Sequence, residues 1–189
     1  MNLSIRRLTA ISALVASVLV VAAPARAQDV MTKEGVAELK TSFIADINVM
    51  KDKFIGLAQA FPQDKYTWRP MPGVRSVSEV LMLAAVEGYG LIPATGFGGK
   101  PGIPPADMKQ LSAVTDKAQI IEHLNKAFAH ATSELAAIDP ATLTAKRTLF
   151  GQQRSASSIA LTIGGDLHEH LGQLIAYARM NQIVPPWSK

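Results

Sequence analysis

The sequence predicts an all-α fold, a four-helix bundle behind a cleaved leader. Three observations carry this. Four long stretches repeat apolar residues at three- and four-residue spacing, the period of an amphipathic helix. Clusters of proline and glycine separate them. No stretch alternates apolar and polar residues as a half-buried strand does.

Residues 1–27 stand apart from the rest. Arg6 and Arg7 precede the apolar run LTAISALVASVLVVAA, and Ala25-Arg26-Ala27 offers small residues at the two positions a signal peptidase reads. The expected mature chain is residues 28–189, a single domain, exported to the periplasm or the extracellular space. The run is short for a span of roughly 20 residues, so no stable membrane anchor is expected after cleavage. The paired arginines hint at twin-arginine export, though Ile5 sits where that signal carries Ser or Thr; the general secretory route stays open.

The leader also carries much of the charge. Three of the 19 basic residues fall in it (Arg6, Arg7 and Arg26), and none of the 15 acidic ones, which leaves the remainder at +1. That balance gives no basic footprint for nucleic acid. The chain has no cysteine, so disulfides, thiolate metal ligands and a cysteine nucleophile are excluded. Any metal must be held by His, Asp, Glu, backbone or water.

The first helix is expected from Lys33 to Phe61, with Val36, Leu39, Phe43, Ile47, Met50, Phe54 and Leu57 on its apolar face. Pro62 ends it, and residues 62–76, PQDKYTWRPMPGVRS, read as a loop. The second begins at Ser76, where Ser76 and Glu79 form a capping box, and runs toward Tyr89. Residues 92–106, IPATGFGGKPGIPPA, read as a long loop, either functional or a plain crossover. The third spans Asp116 to Ile138 on the stripe Ile120, Ile121, Leu124, Phe128, Ala131 and Leu135, stopped by Asp139-Pro140. After a second connection over 140–157, the fourth runs from Ser158 to Asn181. Ser155, Ser157 and Ser158 read as helix-start residues rather than nucleophiles.

The chemistry concentrates in GGDLHEHLGQ, residues 164–173, which holds two of the four histidines. At about 100° per residue, Asp166 and His170 share a face, while His168 and Glu169 look elsewhere. Such a pair is either a carboxylate fixing an imidazole's tautomer or two ligands of a metal whose third must come from another helix. His123 and His130, seven apart on the third helix, are either a surface metal or anion spot or ordinary helix residues. Tyr66, Trp68 and Trp187 read as packing anchors. Arg69, Arg75 and Arg179 form a candidate anion site, and Gln173, one turn beyond His170, is a candidate pocket residue.

Trp68-Arg69-Pro70-Met71-Pro72-Gly73-Val74-Arg75-Ser76-Val77-Ser78-Glu79-Val80 resembles the first connection and second-helix start of the DinB-like superfamily. His170-Leu171-Gly172-Gln173 resembles its fourth-helix H-x-G-Q motif. Ile175-Ala176-Tyr177-Ala178-Arg179 and the Pro-Pro-Trp tail resemble exported members. The resemblance implies up-down-down-up connectivity and a divalent metal held by three histidines, one from the second helix and two, four apart, from the fourth. Some relatives are thiol-dependent transferases or isomerases.

Carried over residue by residue, only His170 is retained. Asp166 stands at the second histidine position and Leu83 at the third, and leucine has no lone pair to donate. The centre is therefore expected to be impaired. It can be rebuilt if Glu87, one turn beyond Leu83, joins Asp166 and His170. That set suits manganese, iron or zinc; nickel is a further candidate, and no metal at all is the other.

Two function classes follow. The first is an exported bundle with a degenerate centre, a small-molecule-binding or dimeric envelope protein whose pocket includes Gln173, Arg75 and Leu83. The alternative is a divalent-metal-dependent hydrolase or thiol transferase on the altered Asp/His centre. Homodimerisation and an unidentified small-molecule ligand are the expected partners; nucleic acid is not.

Overall fold

The computed structural model describes residues 31–188. The expected leader, residues 1–27, lies outside them. Helix α1 spans Lys33–Ala60. It starts where the Thr32 hydroxyl accepts the Gly35 amide at 3.1 Å and ends at Phe61, whose extended backbone leads into Pro62. Its buried face carries Val36, Phe43, Ile47, Met50, Phe54 and Leu57, the apolar period read from the sequence less Leu39, which is half-buried.

The loop that follows is pinned at both ends. The Tyr66 hydroxyl, wholly buried, donates to the Ala58 carbonyl at 2.6 Å. The Ser78 and Val77 amides bond the Tyr66 and Trp68 carbonyls. Trp68 lies edge-on to Tyr177, ring centroids 5.4 Å apart. These contacts bear out Tyr66 and Trp68 as anchors.

Helix α2, Val77–Val86, opens with the expected capping box: Ser76 Oγ accepts the Glu79 amide and Glu79 accepts the Ser76 amide at 2.6 Å. It does not stop near Tyr89. The chain continues as a π-helix over Glu87–Gly96, so the first five residues of the expected loop are helical. The wider turn has a local cause. Pro93 has no amide to give, and the Tyr89 carbonyl accepts the Gly102 amide at 2.8 Å instead. Gly88 permits a close approach to the next long helix: a Cβ there would lie 3.0 Å from the backbone carbon of Ala127.

The rest of the connection holds a short helix, α3 (Pro105–Met108), before α4, Lys117–Ala137, capped by Asp116. The connection is tied to α4. His130 Nε2 bonds the Lys100 carbonyl at 2.8 Å, and Glu134 accepts the Lys100 amide at 2.7 Å. His123 bonds the Tyr89 hydroxyl at 3.3 Å. His130 thus holds the connection before α4 in place, and His123 meets the π-helix.

A hairpin absent from the sequence reading follows: β1 (Arg147–Leu149) pairs antiparallel with β2 (Gln152–Arg154). Its two-residue turn has φ of 50° at Phe150 and 76° at Gly151, the twist that matches tight hairpins. Three residues per strand, with Leu149 alone buried, are too few to register as alternation.

Helix α5, Ala156–Met180, is capped by Ser155, which accepts the Ser158 amide. The serines there serve the helix start, as read. Beyond α5, Pro186 and Trp187 lie over Gly56 of α1, and Lys53 Nζ sits 5.7 Å from the Trp187 ring centroid.

The long helices enclose one apolar cluster. Helix α1 packs on α4 and α5, and α2 packs on the same two. Lys40, early in α1, donates to carbonyls of Ala136 and Ile138 at the end of α4. Lys117, at the start of α4, donates to Gln59 and Phe61 at the end of α1.

Candidate metal centre

Glu87 is the residue where α2 gives way to the π-helix, and it is 4% exposed. That is unusual for a carboxylate, which is rarely buried without a partner. Across the interface with α5, His170 Nε2 lies 3.1 Å from Glu87 Oε1, and Asp166 Oδ1 lies 3.6 Å from the same nitrogen. One donor atom from each of the three residues falls within 4.8 Å of the others. The i, i+4 pair read on the last helix and the Glu87 offered as its third member are therefore brought together.

The electrostatics follow from burial. Desolvation pushes the Glu87 carboxyl above its ordinary value, the hydrogen bond from His170 opposes this, and the charge of Asp166 adds to it. The hydrogen bond to Glu87 holds His170 above its ordinary value, against burial and the positive charge of Arg75. Without a cation, the site keeps its protons to higher pH than the same groups would in water.

One oxygen is left over. Glu87 Oε2 is buried and makes no hydrogen bond among the described residues. Such an atom carries an uncompensated desolvation cost. A divalent cation would satisfy it, and the spacing suits one: two bonds of about 2.1 Å at right angles or somewhat wider set donors roughly 3.0–3.6 Å apart. From His170 Nε2 the separations are 3.1 Å to the other Glu87 oxygen, Oε1, and 3.6 Å to Asp166 Oδ1. Two carboxylates and an imidazole fit manganese, iron or zinc.

The other candidates sort clearly. His168 turns to α1, with Nε2 3.2 Å from Asp46, and is outside the centre. Glu169 is exposed. Leu83 does not take part; it lines a groove of about 440 Å³ with Arg75, Arg69, Glu79, Met82 and Val86. Gln173, offered for the same pocket, is not in that lining. Its amide donates to the Tyr177 hydroxyl at 2.7 Å, which donates to the Arg75 carbonyl at 3.0 Å. Arg69 and Arg75 line that groove together, with Arg69 bonded to the Val74 carbonyl and Glu79, while Arg179 is exposed and is not in the lining. Tyr177 was missed in the sequence; its signal was its place four residues after Gln173.

A mostly helical chain that brings two carboxylates and an imidazole together between the π-helix and α5 has the donor placement that helical bundles use for metal centres. The chain belongs to the DinB superfamily, whose family model matches residues 47–174, from within α1 to within α5. No curated protein and no solved structure matches it significantly. The matched span includes Glu87, Asp166 and His170, and also Leu83.

Proposed function

We propose that the protein is an exported, metal-binding member of the superfamily whose centre is Glu87, Asp166 and His170, and that it acts as a metal-dependent hydrolase or thiol transferase. The observation that carries this is the unpartnered, buried Glu87 Oε2 beside two further donors. A divalent ion held there would polarise a substrate oxygen or lower the pKa of a bound water or thiol. Glu87 supplies a buried negative charge, and His170 a neutral nitrogen fixed by its neighbours. Asp166, with a side chain 42% exposed, supplies the solvent-side carboxylate that could take up a proton.

The supporting architecture is a four-helix bundle with up-down-down-up connectivity in one domain, residues 28–189. Several contacts support it. The start of α4 meets the end of α1. Asp46 of α1 meets His168 of α5, and Gly56 meets the tail beyond α5. Tyr89 meets His123, and Gly99 lies beside Glu134 further along α4. Export is supported by the leader pattern.

A second reading has its own support: a non-catalytic bundle whose Glu87–His170 contact of 3.1 Å balances charge without any ion. Metal content of residues 28–189, purified without a His-tag or chelator and titrated with zinc, manganese and nickel, separates the two. The metal reading expects near-stoichiometric binding, weakened at least about tenfold in His170→Ala and in Glu87→Gln. It also expects tighter zinc binding in Leu83→His, which adds a neutral nitrogen donor one turn away. No binding of any of the three metals would leave the non-catalytic bundle standing.

A further inference from the structure

We propose that the groove beside the centre binds a small amphipathic carboxylate, an apolar body with one carboxylate end, seated on Arg75. The groove's volume of about 440 Å³ is in the range of small-molecule sites. Met82, Leu83 and Val86 give it an apolar wall. Its charges are two arginines and one glutamate. Arg69 and Glu79 cancel, 3.3 Å apart. Glu79 stays ionised, because the Ser76 amide donates to it and pulls its pKa down. The first amides of α2 are already taken, Val77 and Ser78 by the Trp68 and Tyr66 carbonyls and Glu79 by Ser76 Oγ, so they offer an anion nothing.

Arg75 is what remains. Its guanidinium makes no hydrogen bond or ion pair among the described residues, while its carbonyl is held by Tyr177, itself held by Gln173. The cation is fixed at its root and open at its tip. A guanidinium fork receives a carboxylate through two parallel hydrogen bonds. The field of Arg75 also reaches His170. A ligand anchored there would sit on a wall whose Val86 directly precedes Glu87, and its being a substrate rests on the metal reading above. Its binding does not.

The test uses octanoate, with octanamide as the uncharged analogue and acetate as the headgroup alone. Binding to chelator-treated residues 28–189 is followed by methyl NMR of labelled methionine. Octanoate at millimolar concentration should shift the Met82 methyl. Arg75→Gln, a surface change that leaves the fold's circular dichroism intact, should weaken it about 10- to 100-fold, the loss of one charge-assisted pair. Arg75→Lys should recover part of that, and octanamide should bind both forms alike. No Met82 shift, or equal octanoate affinity in Arg75→Gln, overturns the proposal. Octanoate bound by a protein that takes up no metal sinks the metal reading and leaves this one. Metal taken up by a protein that ignores octanoate does the reverse.

Discussion

Glu87 and His170 make the centre sensitive to pH in opposite ways with and without a cation. In the metal-free protein, His170 is held above 6.5 by the bond to Glu87. The stability this contributes is complete below 6.5 and is lost as pH rises through the raised folded value. Glu87 is pushed above 4.5 by burial, so the folded chain binds a proton there that the unfolded chain has released, and its contribution also fades upward from 4.5. Both slopes run the same way. Metal-free protein should lose stability as pH rises from 4.5 past 6.5, by more than Glu87→Gln loses over that window. Metal-loaded protein should gain, because cation binding requires deprotonated ligands. Urea midpoints of both proteins at a series of pH values, with chelator and with zinc, test this. Parallel profiles for wild type and Glu87→Gln would rule out the coupling. At this scale the sequence carried the identities of the three donors through i, i+4 spacing and a one-turn offset from Leu83. It could not carry the orphaned Oε2 or the Tyr177 link to Arg75, since both depend on which helices face each other.

Among the elements, those whose stability is local were legible and those set by contacts between elements were not. Thr32, Ser76, Asp116 and Ser155 each cap a helix through a bond to the amide three residues along, and such bonds are written in neighbouring residues. The π-helix over Glu87–Gly96 was read as loop from residue 92 because residues 92–106 are rich in glycine and proline, helix breakers by propensity, and Gly88, Gly90 and Pro93 within the π-helix are breakers too. They are tolerated through packing on α4 and the bond from Gly102 to Tyr89. Gly88 is the sharpest case. Replacing it with alanine improves intrinsic helix propensity by roughly 1 kcal/mol. The new methyl, however, would stand 3.0 Å from both the backbone carbon and the Cβ of Ala127, and backbone in a packed helix yields little. Overpacking of that kind costs about 1–3 kcal/mol and should win. Gly88→Ala is therefore expected to lower the thermal midpoint and, by shifting the segment that carries Glu87, to weaken metal binding. A raised midpoint would mean that the π-helix and α4 have room between them.

For the whole molecule, the decisive question is which apolar stretch meets the membrane. Among the described residues, Val77–Ala94 is long and apolar enough to cross one, with a mean hydropathy of 1.4, yet 67% of it is buried inside the protein. It carries Val80, Leu81, Met82, Ala84 and Ala85 into the core and presents Glu87 to His170, which a lipid-facing helix would not do. That leaves residues 8–23 as the stretch the export machinery would engage. Cleavage after Ala27 would remove none of the fold's supports found among the described residues, where the first cap is Thr32 and the first buried core residue Val36. It also removes three positive charges and no negative ones, taking the net charge from +4 to +1. Full-length protein expressed in a Gram-negative host should thus be recovered from the periplasmic fraction with an intact mass that begins at Gln28. Ala27→Arg, which puts a bulky charge where the peptidase reads a small residue, should leave an uncleaved form in the membrane fraction. If wild-type protein instead stays in the membrane with residues 1–27 attached, the run is an anchor. The metal centre would then work tethered at the bilayer surface, and the expectation of a soluble exported domain would fall.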